Sequence, residues 1–268
     1  MMGQPIILCV LPVSSTKVGS DHERCSQKQS LVPRAASPVQ TYAKVAGGLA
    51  LLSFIAGGFG EAYVPSKLIV PDAAATVANL KSSEIMFRLS FAAYLVEACC
   101  DIALALIFYV LLKPVSKHVS LLAAFFGLIG TATFAAAELC YFAPALFLRG
   151  GVHLNSFSPD QLNTLAILSL KLFGLGAAIF TVFYGIAWVL RGYLMFQSGY
   201  FPKVLGFLMT VAGSAFIISN FAVVLAPQYP SGWLLVAILP GLFLLIIWLL
   251  VKGVDLPKWE KKTVGGGL

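Results

Sequence analysis

Two carboxylates, Glu97 and Asp101, lie one helical turn apart inside the apolar stretch "YLVEACCDIALALIFYVLL", residues 94–112. Three other apolar runs carry Glu138, Lys171 and Asn220. A charge at the centre of a bilayer costs at least about 2.5–3.5 kcal/mol on insertion scales. Groups placed there must face the protein interior, pair with one another, or exchange a proton. The chemistry these residue types offer is therefore ion pairing and the binding of a proton, a cation or a polar solute.

Spacing decides which of them can meet. At 3.6 residues per turn, Ser90, Tyr94, Glu97 and Asp101 share one face of a helix. Gly127, Thr131, Phe134, Glu138 and Tyr141 line up on the next run, and Lys171, Gly174, Ala178, Thr181 and Gly185 on the one after. Ala50, Ser53, Gly57 and Gly60, with Glu61 beside them, mark a face of the first run. Gly206, Thr210, Gly213 and Asn220 mark one of the fifth. Stripes of small residues let helices approach closely and so point inward. A rise of about 1.5 Å per residue places Glu97 ~14 Å, Glu138 ~12 Å and Lys171 ~12 Å below one membrane surface, with Asp101 a turn deeper and Asn220 slightly above. The expectation is a polar cluster of Glu97, Glu138 and Lys171, with Asp101 beneath it and Asn220 nearby. Simpler readings stand beside it. Lys171 could snorkel to the interface, and Glu97 and Asp101 could act as buried hydrogen-bonding glue. Glu61 and Arg88 lie near run ends, where interfacial placement is the ordinary explanation.

The elements that must position these residues follow from composition. Of 268 residues, 59% are hydrophobic and only 11% charged, against about 25% charged in a soluble domain. Mean hydropathy is +0.90. That is too little polar surface for a water-soluble globule, so the chain reads as polytopic. Apolar runs of spanning length cover about 42–62, 88–112, 119–146, 163–190, 202–226 and 232–252. Strands of a membrane barrel alternate and run only ~10 residues, so an all-α bundle of six spans remains. "PSKLIVPDAAATVANLKSSE" is expected to hold a short surface helix opened by "PD". Ser158 is expected to cap the fourth helix, with Pro159 in its first turn.

The division is into a polar, Ser-rich tail at 1–40, read as disordered, a six-helix domain at 41–254, and a short basic tail at 255–268. "PIILCVLPV" near the start is too short to span and is a poor signal peptide. With the N-terminus inside, most of the eighteen Lys and Arg fall on the cytoplasmic side, including Lys113, Lys117, Arg191, Lys203 and Lys252. Lys67, Lys81, Arg88 and Arg149 fall outside. Both termini are thus expected in the cytoplasm. A net charge of +7 reflects this topology, with the basic residues spread in small groups at run ends, and no nucleic-acid partner is expected. The surrounding partner is the lipid bilayer.

Other chemistries lack their residues. The five cysteines form no CxxC pair or Cys/His spacing, so neither a disulfide framework nor a zinc site is expected. There is no GxxxxGK[ST] phosphate loop, no HExxH and no GxSxG, and His22, His118 and His153 lie outside the spans. Haem and zinc therefore have no ligands within the bundle. A carboxylate-only metal site at Glu97, Asp101 and Glu138 lacks Glu-x-x-His support. No cofactor, metal or catalytic residue is assigned.

Four segments, "YVPSKLIVPDAAATVANLKSSEIMFRL" (63–89), "DIALALIFYVLLKPVSKHVSLLAAFF" (101–126), "FSPDQL" (157–162) and "GYLMFQSGYFPKVLG" (192–206), resemble a family of bacterial integral membrane proteins, domain of unknown function 4386. The resemblance covers roughly 40–255. It implies a multi-helix protein of a bacterial plasma membrane and no particular reaction. It also implies an Arg where this chain has Gly127, a His at Lys171 and a second His near Ala187, whereas Asp101 matches. These departures weaken a metal or proton-relay reading.

Three functions compete. The first is a small permease-like or transport-accessory protein whose inward polar cluster binds a solute. Six helices are few for a lone transporter, so this reading carries the expectation of a homo-oligomer or a membrane partner. No sequence symmetry relates helices 1–3 to 4–6, although an internal repeat is common in transporters. The second is a non-catalytic structural or partner-binding subunit. The third, an intramembrane enzyme, ranks last because no nucleophile–base pair can be assigned.

Overall fold

A computed structural model of the protein describes residues 38–149, 154–225, 236 and 238–265. Among them every regular element is helical. The helices are α1 (Pro38–Gly57), α2 (Val64–Leu68), α3 (Ala73–Ser82), α4 (Glu84–Leu112), α5 (Lys117–Arg149), α6 (Pro159–Ser198), α7 (Lys203–Leu225), α8 (Ile238–Val251) and α9 (Leu256–Gly265). A π-helical turn, Gly58–Tyr63, joins α1 to α2. Five helical stretches are long and apolar enough to cross a membrane: Pro38–Leu68, Glu84–Leu112, Lys117–Arg149, Pro159–Ser198 and Lys203–Ala222. Helix α8 makes a sixth when counted with α9, from which it turns by 94°. Residues 1–37 of the tail expected at 1–40, His153 and the connection at 226–232 lie outside the described residues, while residues 38–40 begin helix α1.

Several local expectations hold for identifiable reasons. Asp72 caps α3, its carboxylate accepting from the Ala75 N–H at 2.7 Å. Ser158 caps α6 through a reciprocal box: Gln161 N donates to Ser158 Oγ at 3.3 Å, and Ser158 N donates to Gln161 Oε1 at 2.8 Å. This pattern satisfies two orphan donors at once.

Two boundaries differ from the sequence reading. The first span runs on to Leu68 because Pro65 does not end it. Its ring has no N–H and crowds the carbonyl of Glu61 four residues back, and the chain passes this point in the π-helical turn. The fourth span is 40 residues, ~60 Å of helix, about twice the hydrocarbon thickness. It stops at Gly199, whose φ of 74° only glycine adopts without strain.

The spanning helices close into a ring. Helix α1 packs on α4, α4 on α5, α5 on α6, α6 on α7, α7 on α8, and α8 back on α1. Helices α6 and α7 cross closely. A Cβ on Gly213 would come within 2.6 Å of the Gly185 carbonyl oxygen, and one on Gly206 within 2.6 Å of that of Gly192. Both pairs are seven residues apart on antiparallel helices, so they meet in register. Large apolar side chains such as Ile55, Leu106, Leu139, Leu175, Phe207 and Ile247 are exposed.

One end of the ring is tied by long-range hydrogen bonds. The Tyr200 hydroxyl donates to the Leu111 carbonyl at 2.8 Å, and Trp259 Nε1 donates to the same oxygen at 3.3 Å. Gln40 Nε2 donates to the Lys252 carbonyl at 2.6 Å, and Val254 N donates to Gln40 Oε1 at 3.1 Å. Leu111, Leu112, Leu194, Met195, Leu205 and Leu249 form a closed apolar core beneath this collar. Within the region read as a short basic tail at 255–268, Leu256–Gly265 forms helix α9, docked by Trp259.

Candidate functional site

The ring encloses a cavity of about 480 Å³ lined by residues of α1, α4, α5, α6, α7 and α8. Its wall on α6 runs from Phe173 to Arg191, a length of ~27 Å at 1.5 Å per residue. The cavity is therefore elongated along the bundle axis.

The acidic side is built by α1, α4 and the π-helical turn, from which Ser53, Glu61, Glu97 and Asp101 enter the wall. Asp101 is buried, and Ser53 Oγ donates to its Oδ1 at 3.2 Å. Tyr184 and Arg191 line the same cavity, both within electrostatic reach of Asp101. Glu97 lies against the bare backbone of Gly57, where a Cβ would come within 2.8 Å of its Oε1. Its Oε2 is buried and has no hydrogen-bond partner. Glu61 is held by the widened turn described above, a type of distortion common at functional sites.

Arg191 is 3% exposed. Its guanidinium lies 5.3 Å over the Phe108 ring, and Gly127 leaves it room, since a Cβ there would lie 2.7 Å from Nη2. The opposite wall is a chain of aromatic rings. Phe134 stacks on Phe180 at 4.5 Å, Phe180 meets Tyr184 at 5.0 Å, and Tyr184 meets Trp188 at 5.9 Å. At the other end Tyr94 packs on Tyr141 at 4.9 Å. Ser90 already donates to the Phe87 carbonyl at 2.7 Å, so in the 2.7 Å contact between the two hydroxyls Tyr141 donates to Ser90.

Of the expected cluster, the structure brings Glu97 and Asp101 together in one wall. Glu138 is 1% exposed and both its carboxylate oxygens lack partners. It lies outside the lining but within electrostatic reach of Glu61, Glu97 and Tyr94. Lys171 does not join them. It is exposed and borders a separate groove with Asp160 and α3. The stripe assigned to α6 fails over its first turns, because Gly174 faces open space while Phe173 and Ala177 turn to the cavity. Small residues mark an inward face only where another backbone approaches, and here aromatic side chains fill the interior. Asn220 donates to the Phe216 carbonyl of its own helix at 2.9 Å and does not line the cavity.

The sequence reading missed Arg191 and Tyr184 and gave Glu61 an interfacial placement; Glu61 is exposed and also borders the cavity. Ending the span at residue 190 placed Arg191 in a loop. The Gly199 and Pro202 stop signals, together with the 3.6-residue rhythm of Phe173, Phe180, Tyr184 and Trp188, could have kept it on the inner face. Among the described residues no group of three His, Cys, Asp or Glu side chains could hold a metal ion, and Cys99, Cys100 and Cys140 are free thiols.

A family model, domain of unknown function DUF4386, matches residues 45–253. An uncharacterised protein of Archaeoglobus fulgidus is 30% identical over 159 residues, which cover 57% of this chain and 76% of that relative. No solved structure matches the chain. The protein belongs to the DUF4386 family.

Proposed function

We propose that this DUF4386 protein is a small permease-like or transport-accessory protein that holds a solute in its central cavity. The observation that carries this reading is the closed ring of helices around an elongated cavity whose wall combines Glu61, Glu97, Asp101 and Arg191. Ionisable groups at membrane depth are costly and ordinarily serve a pathway or a bound ligand, and a concave, mostly apolar cavity with a few converging polar groups is the usual form of a binding site. The distribution of Lys and Arg supports placing both termini in the cytoplasm. The family resemblance supports a bacterial plasma membrane, with lipid around the exposed apolar side chains and a homo-oligomer or membrane partner completing a transport unit.

A second reading has its own support. Ser53 bonds Asp101 across α1 and α4, and Tyr141 bonds Ser90 across α5 and α4, which is how buried polar groups order a bundle without transporting anything. Reconstitution separates the two. Proteoliposomes on a solid-supported membrane, challenged with a panel of cationic, zwitterionic and neutral solutes, should give a solute-dependent current or pH change that Glu97→Gln removes. Signals equal to those of protein-free vesicles across the panel would leave the structural-subunit reading.

A further inference from the structure

The two walls of the cavity narrow the class of solute. We infer that the cavity accepts a hydrophobic organic cation, its charge beside Glu97 and Glu61 and its apolar body against the aromatic wall. This rests on the solute-binding reading above.

The charge distribution is the first argument. Among the described lining residues Arg191 alone is basic, and it sits over the Phe108 ring, within electrostatic reach of Asp101. The Glu97–Glu61 end has no base in its wall. Arg88 is held by Glu84 at 2.7 Å, and Lys171 borders a different groove. The buried, unpartnered Glu97 Oε2 is thus an acceptor in the wall to which the chain brings no cation of its own. A buried carboxylate is tolerated when a proton or a cation neutralises it.

The facing wall supplies the second argument. The rings from Phe134 through Phe180 and Tyr184 to Trp188 present π faces and edges along the cavity. An aromatic face carries negative charge density, so it attracts a cation and disfavours an anion. Arg191 shows the same recognition within the chain: a guanidinium over the Phe108 ring, near a carboxylate. Size and ligand chemistry make the third. A cavity of about 480 Å³ is in the range of about 300–1,000 Å³ that encloses drug-sized molecules. A bare hard cation would instead need six or so converging oxygens, and the described carboxylates form no such group.

The test uses isosteric ions of opposite charge. Full-length protein in nanodiscs of zwitterionic lipid is titrated with tetraphenylphosphonium, tetraphenylborate and neutral triphenylphosphine oxide, with binding read by equilibrium dialysis against empty discs. Tetraphenylphosphonium should bind saturably, and both Glu97→Gln and Glu61→Gln should weaken it about tenfold or more, as loss of a charged partner does. Lys171→Gln should bind as wild type. A monodisperse elution profile for each variant guards against misfolding. Saturable binding of the borate or the neutral oxide at equal or higher affinity would overturn the cation inference and leave the solute-binding reading intact. Retained affinity in both glutamate variants would also overturn it. If none of the three probes binds above empty discs, the inference falls, and the reading beneath it is decided by the solute panel described above.

Discussion

The collar end of the ring and the acidic half of the cavity treat polar groups in opposite ways. At the collar, Tyr200, Trp259 and Gln40 each donate to a main-chain carbonyl on another segment, above a core of buried apolar side chains such as Leu111, Leu194 and Met195. In the acidic half, Glu97 and Glu138 keep buried oxygens without partners, and the helices stand apart around a cavity. Buried polar groups ordinarily find partners because leaving one without costs about 1–3 kcal/mol. The contrast teaches where stability resides and where it is forgone: the collar and the α6–α7 seam hold the ring, and the acidic half draws on that stability.

Substitutions at the two regions should therefore have opposite signs. The largest effect is expected for Tyr200→Ala. Removing a ring that is 2% exposed should cost about 3–5 kcal/mol, read as a lower midpoint in thermal unfolding in detergent. Tyr200→Phe, which keeps the ring and loses the bond to Leu111, should cost about 1 kcal/mol. The second effect is a gain. Glu138→Met replaces an unpartnered carboxylate by an apolar side chain of similar length and should raise stability by about 1–3 kcal/mol. A loss of stability comparable to that of Tyr200→Ala would erase the distinction between the regions. A third, smaller effect sharpens it within the cavity. Gly57→Ala pushes only the flexible tip of Glu97, so its stability in thermal unfolding should change by less than about 1 kcal/mol while tetraphenylphosphonium affinity falls. Last, Lys171→Gln should change stability by no more than about 0.5 kcal/mol and leave binding unchanged, since Lys171 is exposed outside both regions.

Much of this was legible in the residues. The apolar runs announce spanning helices because lipid leaves the backbone no other hydrogen-bonding scheme. The shared face of Ser90, Tyr94, Glu97 and Asp101 follows from helical periodicity, and three of the four are buried with Glu97 in the cavity wall. The caps at Asp72 and Ser158 are local chemistry, readable within four residues. Lys171 and Arg191 show where such reading stops. Both are single basic residues near the limits of one apolar run. Depth alone favoured Lys171, yet it faces outward while Arg191 turns in toward Asp101. Rotation about a helix axis depends on the neighbours, and the aromatic rhythm of α6 outweighed its small residues.

The sequence by itself determined that the chain is helical, with helices long and apolar enough to span a membrane and carboxylates within them, because hydropathy, length and periodicity are properties of a single segment. Tertiary structure alone decided that α8 closes back on α1, that Glu61 enters the wall through a π-helical turn, and that Arg191 rather than Lys171 is the basic residue of the cavity wall. Those outcomes depend on contacts between residues far apart in the chain, whose packing no local pattern encodes.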